Sequence, residues 1–430
     1  NFAIRRPAAA TLWIEAPPAP RPGDTAPASD TSPVNHKSLV NRTPQRRFST
    51  TFGMLAGAAR HAATYGLTRR PLMLLPYLGY GSAGALTVRG RVLQERAFSP
   101  QQAGDSGWRN LAALYRRLES DEVAGEAVAA TFDGQTYLTR TDNGGYFSFD
   151  IRPSRGRPPA PGWVSVELAL PDAAAEHGEA GGPPVRAAAR VLVPDGGARF
   201  GVISDIDDTV LWTNVTNKLN MALMLARSNP YTRQPFKGVA AFYRALHAGA
   251  PGAGVPGRTA PGDSRPGAGN PLFYVSSSPW HLFGHLVEFL RAQGLPLGPL
   301  MLRELGLKQL LKLNQHGNHK LEKIEHILAT YPTLPFILIG DSGEQDPEIY
   351  AEVVRRHPGK VRVIYIRNVN PDPARIAALD RLVARLAAAG TELIVAADSE
   401  AAAVHAAREG LIDPARLEEV RADVRAAGAA

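Results

Sequence analysis

The chain of 430 residues has no cysteine, which excludes disulfides, thiol catalysis and thiolate metal sites and leaves the redox compartment undetermined. It also lacks a long apolar run. Its longest uncharged stretch, Pro71 to Val88, holds two prolines and three glycines and is a poor membrane span. The start of the chain does not read as a signal peptide, because an early basic pair precedes a Pro/Ala-rich stretch. Outside its first part the chain also has almost no charge excess. Residues 1–70 carry ten Lys/Arg against three acids, a net +7 out of the +8 of the whole chain. A nucleic-acid-binding body is therefore not expected. An anionic membrane surface remains open as a partner of the basic leader. The default expectation is a cytoplasmic protein, with peripheral membrane contact through that leader.

At this length two or three domains are expected, and 44% hydrophobic residues with 41 glycines and 36 prolines describe globular units with interruptions. Residues 1–50, rich in Pro, Ala, Ser and Thr without an apolar period, read as a disordered basic leader. Met54 opens the first pattern that looks folded, which would place that leader upstream of the natural start. Residues 51–85 read as a helical or linker segment. From 86 to 196 strand signals take over. Leu86–Leu93 alternates, Val128–Phe132 and Gln135–Arg140 flank the two-residue turn Asp133-Gly134, and Thr141–Phe149 repeats that device. In Trp163–Leu170 the residues Val164, Val166, Leu168 and Leu170 face one way. These features predict an all-β sandwich domain.

From 197 to 427 strands alternate with helices, which predicts a doubly wound parallel α/β sheet. Strands are expected at Phe200–Ile203, Leu272–Val275, Phe336–Ile339, Val361–Ile366 and Leu393–Ala396. The Gly/Pro-dense stretch 249–269 reads as a flexible surface insert.

Four chemistry-bearing sites fall at strand ends or helix starts of this region. Asp205 and Asp207, two apart at the end of an apolar strand, project to one side of the sheet edge where such folds bind ligands. Like charges that close repel, so a cation or a phosphoryl group is the natural reason to keep them. Ser276 ends the next apolar strand, and Ser278-Pro279 has the character of a helix start, which makes a phosphate site. Lys320 stands in the first turn of a helix whose buried face is Leu321, Ile324, Ile327 and Leu328, where a cation opposes the helix dipole unless an anion is nearby. Asp341 and Asp346 follow the apolar strand Phe336–Ile339 in Gly340-Asp-Ser-Gly-Glu-Gln-Asp346. Each signal alone is modest, but the ordered set is specific.

That order resembles the haloacid-dehalogenase-like (HAD) superfamily of aspartyl-phosphate enzymes. More closely, Ser204–Val210, Tyr274–Trp280 and Ile339–Tyr350 resemble the actin-patch-type phosphatidate phosphatases, from 200 to 427, and the β-domain is similar to that family's companion domain. The resemblance implies Asp205 as nucleophile and Asp207 as the acid that serves the leaving group and then water. It implies Mg²⁺ held by the Asp205 carboxylate, the Asp207 backbone carbonyl, Asp341 and Asp346. Ser276, Ser277 and Lys320 would hold phosphoryl oxygens, with Thr209 positioning the loop. The second acid argues for a phosphatase, since transport ATPases and dehalogenases typically lack it. The implied reaction is Mg²⁺-dependent dephosphorylation of phosphatidate to diacylglycerol. Two alternatives stay open: a soluble phosphate ester such as a nucleotide or sugar phosphate, and a surface-binding protein with a vestigial phosphatase fold.

Other candidates are weaker. Gly79–Gly84 matches GxGxxG but is followed by a strand pattern, so a dinucleotide site is not expected. His281 and His285, four apart, read as packing or pocket-rim residues in preference to metal ligands. His316 and His319 flank Lys320 within reach of a substrate, and Met221–Leu225 reads as a helix over the site, able to accept acyl chains as a small cap.

Overall fold

The structure, a computed structural model, describes residues 72–94, 122–154, 156–171, 185–206, 237–250, 269–304, 317–370 and 372–429. The leader 1–50, positions 51–71, Asp207, Thr209, Met221–Leu225, insert positions 251–268 and His316 lie outside the described residues.

The first sheet has eight strands: β1 Leu72–Pro76, β2 Gly79–Ser82, β3 Ala85–Gln94, β4 Ala127–Phe132, β5 Gln135–Arg140, β6 Tyr146–Ile151, β7 Gly162–Ala169 and β8 Arg186–Val193. They run in the order β1-β3-β2-β8-β7-β4-β5, with β6 on β3, and all pairs are antiparallel except β2 with β8. Two expectations are corrected here. Positions 72–76 and 79–82 are strand, not helix or linker, so GxGxxG forms the β2–β3 hairpin. The strands also form one continuous sheet around one core of Leu86, Val88, Val128, Phe149, Val166 and Val191, where two separate sheets were expected.

The Asp133-Gly134 turn behaves as read, with φ of 49° and 74°, and pairs Phe132 with Gln135. The second turn does not close a ladder onto β5. Strand β6 crosses to β3, because Gly90 leaves a gap that the Phe147 ring fills; a Cβ there would collide with that ring.

The second sheet has six parallel strands: β9 Gly201–Asp205, β10 Leu272–Pro279, β11 Leu300–Arg303, β12 Phe336–Asp341, β13 Val361–Arg367 and β14 Glu392–Ala396. Their order is β11-β10-β9-β12-β13-β14, so the winding direction reverses at β9. Alternation along the strands feeds two cores. Val202, Tyr274, Ile339 and Tyr365 point to one face, and Ile203, Phe273, Leu338 and Ile364 point to the other. The first face is covered by α1 (Val239–Ala248), α2 (Phe283–Ala292), α6 (Ser399–Arg408) and α7 (Leu417–Ala429). The opposite face is covered by α3 (Gly317–Thr330), α4 (Asp346–Arg356) and α5 (Pro373–Ala388). The sheet is thus doubly wound as expected. Strand β11 and helix α7 were not anticipated; β11 has four residues directly after the Gly/Pro-rich Gly294–Pro299. No helix among the described residues is long and apolar enough to cross a membrane.

The two sheets meet along the outward face of β3 and β6. Tyr77 stacks on Trp280 with ring centroids 4.1 Å apart, and Tyr331 donates to the Gly81 carbonyl at 3.1 Å. Arg91, only 2% exposed, donates to Glu122 (2.7 Å) and the Gly144 carbonyl (2.7 Å), and lies 2.9 Å from His281 Nε2. His281 is therefore a joint between the sheets, and burial with the nearby Arg91 charge pushes its pKa down to about 4.

Candidate active site

Strand β9 is buried at all five positions and ends at Asp205. Parallel register sets Val275 beside Asp205 on one side and Ile339 beside Ser204 on the other. Asp205, Ser276 and Asp341 therefore leave the sheet at one edge, at the reversal point where α/β sheets open a crevice. Ser204 is held from below, its hydroxyl 2.6 Å from the Tyr243 hydroxyl of α1.

Into this crevice the first turn of α3 brings Lys320, 4% exposed. Its ammonium lies 2.7 Å from Asp205 Oδ1, 2.7 Å from Asp346 Oδ1 and 2.9 Å from Glu344 Oε2. One carboxylate oxygen each of Asp205, Asp341 and Asp346 lies within 4.8 Å of the others, and all three side chains are buried. The loop between β12 and α4 is folded around Asp341, whose Oδ1 accepts from the Gly343 and Glu344 amides at 2.6 and 3.0 Å. Gly340 has no Cβ for a steric reason: one built there would stand 2.5 Å from Asp346 Oδ2 and 2.7 Å from its Cβ. The Tyr350 hydroxyl fixes the strand end by donating to the Ile339 carbonyl at 2.8 Å.

The electrostatics follow from four carboxylates packed around one ammonium. Burial acts to lower the Lys320 pKa, but Asp205, Asp346 and Glu344 outweigh it and hold the ammonium well above its ordinary value. Burial, then the charge of Asp346, pushes Asp341 up to about 7. Burial also raises Asp346, against the opposing pull of Lys320. Three buried carboxylates of this kind suit a hard divalent cation with oxygen ligands.

The structure thus brings together Asp205, Lys320, Asp341 and Asp346. Ser276 is placed at the same edge by register, fully buried, its hydroxyl accepting from the Ser278 amide at 2.9 Å, and Ser277 beside it is half-buried. The helix start expected at Ser278-Pro279 is corrected. Strand β10 continues to Pro279, and the 3₁₀ turn Trp280–Leu282 has no side-chain cap. Two residues acquire roles that sequence reasoning did not assign. Glu344 reaches Lys320, and Arg375 of α5 donates to the Ser342 and Glu344 carbonyls at 2.8 and 2.7 Å while pairing with Glu348. Glu344 was visible as an acid in the loop; nothing local marked Arg375, which arrives from another helix. His319 stays neutral, with burial and the Lys323 and Arg303 charges lowering it to about 4.

The α/β fold thus carries a buried carboxylate cluster and one lysine at its reversal point, a donor set of the kind that suits a cation beside an anion. Residues 200–368 match the model of the catalytic domain of phosphatidate phosphatase APP1. Phosphatidate phosphatase APP1 of Saccharomyces cerevisiae is 32% identical over 169 residues, which are 39% of this chain and 26% of the yeast protein. An uncharacterized protein of Schizosaccharomyces pombe is 28% identical over 178 residues, 40% of this chain and 26% of that protein. The chain spans about a quarter of the length of these curated relatives. A solved carbohydrate acetylesterase from Xanthomonas citri overlaps with a TM-score of 0.26 at 13% identity, covering 76% of this chain and 68% of that one, a level that defines no shared fold. Residues 200–368 thus resemble the catalytic domain of the APP1-type phosphatidate phosphatases.

Proposed function

We propose that the chain is a Mg²⁺-dependent phosphomonoesterase of HAD type that dephosphorylates phosphatidate to diacylglycerol. The observation that carries this reading is the Lys320 ammonium held simultaneously by Asp205, Asp346 and Glu344 beside Asp341, within the segment that matches the APP1 catalytic domain. Asp205, Asp341 and Asp346 would hold Mg²⁺, with the Asp207 backbone carbonyl as the resemblance implies. Bound there, the ion would offset charge on the phosphoryl oxygens.

Lys320 pairs with Asp205 at 2.7 Å, and with its three N–H donors facing Asp205, Asp346 and Glu344 it would turn one of them from a carboxylate to a phosphoryl oxygen when substrate binds. An Asp205 carboxylate oxygen attacks phosphorus, a new P–O bond forms, and the bond to the ester oxygen breaks with its electron pair leaving on that oxygen. Asp207 gives the leaving oxygen its proton. It then takes a proton from the water that attacks the acyl phosphate, which releases inorganic phosphate and regenerates Asp205. The Ser276 hydroxyl, at the same edge, would orient the phosphoryl oxygens.

The test is phosphate release, with Mg²⁺, from dioctanoyl phosphatidate, soluble sugar and nucleotide phosphates and an aryl phosphate, run beside Asp205→Asn. The expected loss in that variant is a thousandfold or more, roughly what removing a nucleophile does elsewhere. Equal activity in wild type and variant would sink the assignment. Release from the soluble esters alone would move the substrate to that class.

A further inference from the structure

Between the two sheets, and sharing no lining residue with the Lys320 cluster, lies a pocket of about 340 Å³. That volume is in the range of small-molecule sites. Its walls include Arg89, Tyr146 and Arg140 of the first sheet, and Trp280 and Glu304 beyond the ends of β10 and β11. The polar face of β3 carries two arginines with opposite fates. Arg91 is fully engaged, by Glu122, the Gly144 carbonyl and His281, and lies over the Tyr146 ring at 4.6 Å. Arg89, two residues earlier on the same face, has no ion pair among the described residues, and its Nε is buried without a partner. The Tyr146 hydroxyl, on the adjacent strand β6, is likewise buried without one.

Two buried donors without acceptors at one pocket wall, one of them part of a guanidinium, are disfavoured unless something with oxygen lone pairs fills the space. The acids nearby do not fill that role. Asp142 Oδ1 is taken by the Gly144 and Tyr146 amides at 2.8 and 2.9 Å, and Glu304 sits exposed at the rim. We propose that this pocket binds an oxygen-rich anionic group, a phosphate or a carboxylate, with Arg89 and the Tyr146 hydroxyl as its donors. The group is borne either by a free small molecule or by a lipid headgroup. Occupancy does not depend on the reaction at Asp205.

Calorimetric titration of inorganic phosphate into the full-length Asp205→Asn protein tests this, since turnover is absent there. Arg89→Gln in that background should raise Kd about tenfold or more, the value of a charge-assisted hydrogen bond, and Tyr146→Phe about fivefold. Thermal melts check that both variants fold; Tyr146→Phe keeps the ring and loses only the hydroxyl. Co-sedimentation with phosphatidylcholine vesicles, with and without phosphatidate, separates the sources. An Arg89-dependent shift with vesicles alone assigns a lipid headgroup, and one with phosphate alone a soluble ligand. Binding that neither variant weakens, or no binding in either arm, would overturn the proposal. Failure of the phosphatase reading would show instead as absent phosphate release with the seam titration intact.

Discussion

Asp341 is the side chain on which the proposed cation site turns. Burial and Asp346 raise its folded pKa to about 7 from an ordinary carboxylate value. A raised pKa means the folded protein binds the proton more tightly than the unfolded chain. The associated stability is therefore complete at acid pH, below the unfolded value, and is lost as pH rises from about 4 through 7. Metal-free protein should lose thermal stability across that window, and Asp341→Asn should flatten the dependence. In the proposed role Mg²⁺ would have to displace the same proton, so its affinity should climb with pH up to about 7 and level off above it. A flat metal-free profile in the wild type would contradict the assignment of Asp341 as the raised carboxyl.

At the level of elements, the site is a loop gripped from two directions. The loop after β12 carries Asp341, Glu344 and Asp346, and it folds on itself through the Gly343 and Glu344 amides. It is also held from outside. Ser342 Oγ accepts from the Val369 and Asn370 amides at 2.9 and 3.1 Å, and Arg375 binds two of the loop's carbonyls. Arg375→Ala should leave the carboxylates in place chemically while loosening their geometry. The expected result is a rise of about tenfold in the Mg²⁺ concentration for half-maximal activity, with a melting midpoint that moves little. Arg375→Lys should recover only part of this, because a single ammonium cannot span both carbonyls and Glu348 as the guanidinium does. An unchanged Mg²⁺ requirement in Arg375→Ala would remove the residue from that role.

Over the whole molecule, the seam between the sheets is held by Arg91 and by the Tyr77–Trp280 stack. Arg91→Met keeps much of the stem but leaves the Gly144 carbonyl without its charged donor. Glu122 is 40% exposed and recovers water, so the expected loss is about 2 kcal/mol, less than for a fully buried pair. It should appear as a melting midpoint several degrees lower, and an unchanged midpoint would show that the contact is idle.

The sequence alone determined the doubly wound sheet and the acids at its edge. Both are written in short-range pattern: apolar runs such as Phe336–Ile339 that stop at an aspartate, and helices whose buried faces recur at helical spacing. The turn at Asp133-Gly134 was legible for the same reason, since two neighbouring residues set their own backbone angles. What only the tertiary structure decided are the partnerships between distant segments. Arg375 on the loop carbonyls, Phe147 in the gap left by Gly90, and Arg91 on His281 join positions 33, 57 and 190 residues apart. Alternation in β3 tells which side is apolar, not what covers the other side. In the fold that side is the seam, and its two arginines there have opposite surroundings. Contacts of this range leave no local period or motif in the chain, because they are selected by packing and charge once the sheets have come together.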